Sequence, residues 1–265
     1  MSDKKPVRTL EMQVDIDAPI EEAWKALTTG PGLANWFAPV GEVSGPGAGA
    51  TVKSGWSPEM MMSVTVGAWE PLKHVSWIDE SGWTGPGTSM VCDYYLSTEQ
   101  GKTRVRFVQS AFGASEACDD LFDGMEVGWT YFLFNLRAYL ELHAGRTRRM
   151  ISERLEVTAG RQKFWRHLLS ALVGSAGSVK AGDKVPVKLS DAPTPGIVEV
   201  AIERHALGVR LPELANALLF VELEGKSDQF HVGYWFSVYD DDKAHQVDAP
   251  ARKAFRGLHE PQPKA

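Results

Sequence analysis

The sequence of 265 residues lacks the features of several protein classes. Its two cysteines, Cys92 and Cys118, lie in no CxxC motif and no Cys/His cluster, which argues against a disulfide framework and a structural zinc site. No segment approaches the roughly 18 consecutive apolar residues of a transmembrane helix. The charged N-terminus is not followed by the apolar run of a signal peptide. We therefore expect a reduced, cytoplasmic protein with no membrane partner.

An excess of positive charge is also missing. The chain has 28 Lys and Arg against 34 Asp and Glu, and its formal net charge of −6 falls entirely within the first 150 residues. Nucleic-acid-binding proteins normally carry a basic patch, so we expect no nucleic-acid partner. Hydrophobic residues make up 43% of the chain and charged residues 23%, which is typical of a globular protein rather than a disordered one.

Sharp motifs for catalysis, metals and cofactors are missing too. The sequence has no GxGxxG, GxxxxGK[ST], HExxH or GxSxG motif, and no two of its seven histidines are four residues apart. Asp240, Asp241 and Asp242 indicate an acidic turn but lack the spacing of an EF-hand. We therefore expect no metal and no cofactor. Because the pattern identifies no catalytic residue, a binding protein is favoured over an enzyme.

Two periodicities organise the first half of the chain. Residues 8–17 alternate between apolar and polar, which predicts a half-buried strand, and Pro19 then opens a helix followed by a short second helix. Residues 40–110 contain six short strand segments separated by turns, which predicts an antiparallel meander. From residue 115 to about 145, apolar residues recur at steps of three and four, which predicts one long amphipathic helix.

The second half of the chain repeats part of this pattern. Four strands and a short final helix at about residues 249–258 follow an opening strand and helix. An offset of 141 residues aligns five positions of the two openings: Val14 with Leu155, Ile16 with Val157, Ala18 with Ala159, Trp24 with Trp165, and Leu27 with Leu168. The pattern favours a shortened, degenerate second copy of the first domain, and an unrelated α+β extension is the alternative.

The opening VDIDAPIEEAWKALTTGPGLANWFAP resembles the START/Bet v 1-like (SRPBCC) superfamily. Within it, the sequence is most similar to the AHSA1-like family, which is related to activators of the heat shock protein 90 ATPase. The similarity covers residue 8 to about 145. The matching features are the Ala18-Pro19 step, Trp24, then Leu33, Trp36 and Phe37, and finally Gly128-Trp129 with the leucines that follow.

The resemblance implies an α+β helix-grip fold, in which a curved antiparallel sheet surrounds a long C-terminal helix and an apolar cavity. We expect this fold in residues 1–148 and a degenerate copy of it in residues 149–265.

The inner face of this fold supplies the candidate ligand-binding residues. Seven of the nine tryptophans lie in the first 150 residues, which indicates large aromatic surfaces. A filled core explains the same pattern, but the resemblance favours a cavity for a hydrophobic or aromatic small molecule. The candidates share inward-facing strand or helix positions: Val64, Val66, Val75, Trp77, Met90, Cys92, Tyr94, Val105, Phe107, Gln109, Phe122, Met125, Trp129, Phe132 and Leu136. His74 is one position out of phase with Val75, so it is expected to face outward.

Two further functions remain open at this point. The resemblance also implies a co-chaperone that regulates the heat shock protein 90 ATPase, with a role in stress response and a chaperone as partner. Some relatives are cyclases or hydrolases, and such chemistry needs an acid or base inside the pocket. A homodimer is also left open.

Overall fold

The computed structural model describes residues 8–57, 59–81, 89–112, 116–225 and 228–259, without the side chains of residues 8, 111–112 and 116–123. The chain divides into two compact units, residues 1–147 and 148–265, called here the first and second domains. No helix within the described ranges is long and apolar enough to span a membrane.

The first domain combines a seven-stranded antiparallel sheet with three helices. The sheet has the strand order β1-β7-β6-β5-β4-β3-β2. The elements in chain order are β1 (Arg8–Ile16), α1 (Ile20–Thr28), α2 (Gly30–Trp36), β2 (Val40–Val43), β3 (Thr51–Ser57), β4 (Met60–Glu70), β5 (His74–Asp79), β6 (Met90–Glu99), β7 (Lys102–Phe112) and α3 (Glu116–Leu142).

The long helix α3 packs against the inner face of this sheet. It has 27 residues, and Trp129 in the middle of the helix contacts Phe107 on β7 with ring centroids 3.8 Å apart. The apolar stripe at steps of three and four explains this placement, because it gives the helix one face to bury. The predicted order of strand, two helices, six strands and long helix is confirmed, and so is the helix-grip fold.

Helix α2 lies directly against α1, and one glycine permits this close approach. A Cβ atom at Gly32 would lie 2.5 Å from the carbonyl oxygen of Lys25. Thr29 caps α2, because its hydroxyl accepts a hydrogen bond from the Gly32 amide over 3.1 Å. This contact fixes the position of Trp36 and Phe37 at the end of α2.

In its described residues, the second domain has the same topology with one strand and one α-helix fewer. Its sheet order is β8-β13-β12-β11-β10-β9, which matches the first sheet without its edge strand β2. The elements are β8 (Arg149–Thr158), α4 (Arg161–Val173), β9 (Lys184–Val187), β10 (Thr194–Ile202), β11 (Ala206–Leu211), β12 (Ala217–Glu224), β13 (Gln229–Val238) and α5 (Asp241–Gly257). The second sheet therefore repeats the strand order of the first in a shortened form.

Two details of the second domain differ from the sequence-based expectation. Five strands follow α4 instead of the four predicted, and the additional strand is β11. A turn in which Arg204 takes a φ of 64° joins β10 to β11. The last helix begins at Asp241 rather than near residue 249. The three aspartates start this helix instead of forming a separate turn, and Asp240 caps it by accepting a hydrogen bond from the Lys243 amide over 2.9 Å.

Candidate functional site

The inner face of the first sheet is assembled by strand register. Trp77 pairs with Val66 on one side and Cys92 on the other, and Cys92 in turn pairs with Gln109. Directly paired residues of antiparallel strands point to the same side of the sheet. The residues chosen by alternation in the sequence therefore share one continuous face.

Burial divides the predicted site residues into three groups. Those less than one-tenth exposed are Val66, Val75, Trp77, Met90, Cys92, Tyr94, Val105, Phe107, Gln109, Trp129 and Leu136. Val64, Met125 and Phe132 are half-buried. Phe122 is the exception, because its side chain lies outside the part that the structure describes.

Aromatic rings fill much of the space between the sheet and α3. The ring centroids of Trp77 and Tyr94 are 4.7 Å apart, and those of Tyr94 and Phe107 are 5.2 Å apart. Trp129 brings the helix into this group through its contact with Phe107. Such tilted ring pairs add to the stability gained from burial.

Phe37, at the end of α2, is a central member that the sequence did not assign to the site. Its ring centroid lies 4.5 Å from that of Phe132, 5.7 Å from that of Trp77 and 6.0 Å from that of Trp129. Trp56 on β3 was also missed, and it contacts both Phe37 and Phe132. Phe37 was noticed only as a family match, because a helix as short as α2 shows no periodic stripe.

Along β4, the inward-facing positions become progressively more buried from the tip of the β3–β4 hairpin toward the interior. Met60 is 59% exposed, Met62 is 40% exposed, Val64 is half-buried, and Val66 is 2% exposed. These alternate residues lie on the same face of one strand. They form a continuous apolar path from solvent to the aromatic rings, called the methionine path below.

Gln109 is the polar centre of the inner face. Its Oε1 accepts a hydrogen bond from the indole N–H of Trp129 over 2.8 Å, and its Nε2 donates to the sulfur of Met90. Two other buried polar atoms in this region, Nε1 of Trp77 and the hydroxyl of Tyr94, have no hydrogen-bond partner in the described part of the chain.

The inner face carries little charge. Burial raises the pKa of the Cys92 thiol and of the Tyr94 hydroxyl, so both groups are neutral near pH 7. Among the described residues of β3–β7, the inward positions hold no Lys, Arg or His, and Asp79 at the end of β5 supplies the one carboxylate. The described residues also contain no cluster of three or more His, Cys, Asp or Glu side chains that would suit a metal ion.

The outer face of the sheet is polar, as the position of His74 shows. Its Nε2 lies 2.7 Å from Oδ1 of Asp93, and its ring stacks on Tyr95 at 4.2 Å. The guanidinium group of Arg106 also lies over the ring of Tyr95, 4.7 Å from its centroid. The structure therefore places His74 on the outer face, as its position in the alternation predicts.

Comparisons with known proteins give one family and several similar folds. A search of curated proteins finds no match. The solution structure of the Aha1 dimer from Colwellia psychrerythraea is 26% identical, with a TM-score of 0.44, and covers 52% of this chain and 99% of that one. The di-domain ARO/CYC BexL from the BE-7585A biosynthetic pathway is 13% identical, with a TM-score of 0.45, and covers 95% and 93%. DynU16, a putative protein in the dynemicin biosynthetic locus, is 17% identical, with a TM-score of 0.43, and covers 96% of both chains.

The family match coincides with the domain that carries the methionine path. The model of the family AHSA1, described as activator of Hsp90 ATPase homolog 1-like protein, matches residues 17–141. This range begins just after β1 and ends one residue before the end of α3. Over residues 17–141, just under half of its length, the chain is therefore similar to the AHSA1 family, a family of the START/Bet v 1-like (SRPBCC) type.

Proposed function

We propose that the first domain binds a hydrophobic, ring-containing small molecule between its sheet and α3. The methionine path is the observation that carries this proposal. A core that served only for packing would end at buried side chains, whereas this apolar face continues to Met62 and Met60 in solvent. Keeping these side chains in water forgoes the stability that their burial would provide, about 25 cal/mol for each Å² of apolar surface.

The side chains along the path suit a ligand of this kind. Methionine is flexible and polarisable, so it adapts to irregular apolar molecules. Beyond the path, Trp56, Phe37 and Phe132 present ring faces and edges that favour an aromatic partner. Trp56 and Phe132 are only half-buried, so a ligand that covered them would remove further apolar surface from water.

Met61 and Met62 provide a matched pair of variants for the test. Their exposures are nearly equal, 39% and 40%, but they project from opposite faces of β4. The neutral probe N-phenyl-1-naphthylamine, which fluoresces in apolar surroundings, would be titrated into the full chain. Met62→Asp is expected to weaken binding by at least about tenfold, because a short carboxylate on the path is costly to desolvate. Met61→Asp is expected to change the dissociation constant less than twofold, because its carboxylate stays in water (~0.4 kcal/mol or less).

Any one of three outcomes would count against the proposal: the wild-type chain does not bind the probe, the two variants weaken binding equally, or only Met61→Asp weakens it. Circular dichroism of both variants would show whether the sheet is retained. Because the two substitutions are chemically identical and lie on the same strand, a general loss of strand stability affects both.

A co-chaperone function is the second candidate, and the family match is the observation in its favour. The test is an ATPase assay of the cognate heat shock protein 90 with this chain at saturating concentration. Stimulation that survives Met62→Asp would separate this activity from ligand binding. Unchanged ATPase activity would remove the candidate.

Catalysis inside the pocket is less favoured by the chemistry of the inner face. General acid–base catalysis requires a group that exchanges protons near the working pH. The buried Cys92 and Tyr94 have raised pKa values and keep their protons, so neither supplies an anionic nucleophile or base at pH 7.

A further inference from the structure

Two residues with unpaired polar groups, Tyr94 and Trp77, have their rings in contact in the aromatic interior of the first domain. Tyr94 is completely buried and Trp77 is 6% exposed, yet neither the hydroxyl nor the indole N–H has a hydrogen-bond partner in the described part of the chain. Their rings touch, and Trp36 lies 6.4 Å from each of them between centroids. Buried polar groups normally have partners, because an unmet hydrogen bond in a water-excluded site destabilises the fold.

The chemistry of the two groups restricts what could satisfy them. An indole N–H only donates, and a phenol hydroxyl donates readily, so a single acceptor atom with two lone pairs would suit both. Phenylalanine at position 94 would provide the same ring without the unmet hydrogen bond. The hydroxyl of Tyr94 therefore adds nothing to packing, and its presence beside the unpaired indole N–H of Trp77 points to a partner from outside the described part of the chain.

The charge of the surroundings restricts the partner further. The inward positions of β3–β7 in the described residues hold no cationic side chain, and the carboxylate of Asp79 lies at the end of β5 on the same face. An anionic group would be desolvated there without a counter-charge, which is strongly unfavourable. A neutral acceptor avoids this cost.

We infer that the ligand of the first domain is a neutral aromatic molecule carrying a carbonyl-type acceptor, such as a ketone or quinone oxygen, which Tyr94 and Trp77 recognise by donating hydrogen bonds. This inference rests on the proposed function, since it names the class of molecule that the same site binds. The methionine path admits the apolar body of the ligand, and the two donors at its inner end select the polar atom.

Three naphthalene derivatives of similar shape separate the contributions of ring, acceptor and charge. The probes are 2-acetylnaphthalene, 2-ethylnaphthalene and 2-naphthoate, and equilibrium dialysis with absorbance detection gives their dissociation constants. The ethyl compound is the more hydrophobic, so a purely apolar pocket would prefer it. We expect the wild-type chain to bind the ketone about tenfold more tightly than the ethyl compound, because only the ketone accepts hydrogen bonds from Tyr94 and Trp77. The naphthoate should bind most weakly.

Tyr94→Phe tests the donor directly, and Tyr95→Phe is its control. The two tyrosines are neighbours on β6 but face opposite sides of the sheet, and Tyr95 lies in the outer-face stack with His74. Tyr94→Phe should reduce the preference for the ketone severalfold while leaving the affinity for the ethyl compound within about threefold, because only the hydroxyl is lost. Trp77→Phe should reduce the same preference, and Tyr95→Phe should leave it unchanged.

The outcomes distinguish this inference from the proposal beneath it. If the wild-type chain binds the ethyl compound as tightly as the ketone, or if Tyr94→Phe keeps the preference, the acceptor recognition is wrong while apolar binding stands. Tight binding of the naphthoate would contradict the neutral character of the ligand. If none of the three probes binds, both the inference and the proposed function fail.

Discussion

The indole N–H of Trp129 in α3 donates a 2.8 Å hydrogen bond to Oε1 of Gln109 in β7, and both side chains are buried. The bond joins the long helix to the inner face of the sheet where Trp129 also contacts the ring of Phe107. It therefore fixes the separation between helix and sheet that the candidate site depends on. Gln109 therefore has a structural role that its burial alone would not reveal.

We expect Gln109→Leu to lower the free energy of unfolding by about 1–3 kcal/mol, because it leaves the buried N–H of Trp129 without an acceptor. Gln13→Leu is the control, since Gln13 is an exposed residue on the outer face of β1. Urea denaturation followed by tryptophan fluorescence measures both variants. Equal stabilities of the two variants would show that the bond contributes little.

Replacement of glycine by alanine is expected to change the stability of the first domain in opposite directions at two positions. Gly32→Ala should destabilise the first domain by roughly 1–3 kcal/mol, because the new Cβ would overlap the backbone of α1. It should also weaken probe binding, since α2 carries Phe37 into the aromatic group.

Gly128→Ala in the middle of α3 should instead stabilise the domain by about 0.5–1 kcal/mol, because it favours the helix and its Cβ meets no atom within 4 Å. Thermal denaturation and probe titration check both variants. The same sign of change in stability for the two substitutions would contradict the packing described for α1 and α2.

Glu222 in the second domain gives the stability a pH dependence of known sign. Its pKa is raised from 4.5 to about 7, mainly by burial and also by the nearby Glu224, while the hydrogen bond from Trp235 opposes the rise. Between these two values the folded chain holds a proton that the unfolded chain releases. This contribution to stability is therefore complete below pH 4.5 and is lost as the pH rises through about 7.

The measurement is the difference in unfolding free energy between Glu222→Gln and the wild type, from pH 4 to 8. His259 acts in the opposite sense over an overlapping range, because burial lowers its pKa to about 4. Taking the difference cancels that contribution. We expect the variant to gain stability relative to the wild type as the pH rises, and Glu213→Gln, at an exposed glutamate, is the control substitution. A flat difference for Glu222→Gln would refute the raised pKa.

The helix-grip architecture could be predicted from the sequence because its main signals are local. Alternation in β4–β7 identified the inward face, and the stripe in α3 identified the helix that covers it. The role of Phe37 could not be found this way, because its contacts to Trp77 and Trp129 come from elements far apart in the chain. The unpaired groups of Trp77 and Tyr94 likewise become visible only when their surroundings are known.

The errors in the second domain have equally specific causes. The final helix was predicted to begin near residue 249, whereas α5 begins at Asp241 and contains Pro250 well inside it, although proline favours the first turn of a helix. Strand β11 was missed because Glu203 and Arg204 form a turn without the glycine or proline that normally marks one.

The most direct test of the central claim is to map where an apolar molecule binds, using NMR of chains labelled with ¹³C at the methionine methyl groups. The eight methionines include Met62 and Met90 on the inner face of the first domain, and Met61 on the outer face of the same sheet. On titration with 2-acetylnaphthalene, the methyl signals of Met62 and Met90 should shift and saturate together, while that of Met61 stays in place. A saturating shift at Met61 without one at Met62 and Met90, or no shift at any methionine, would contradict a ligand site between the sheet and α3.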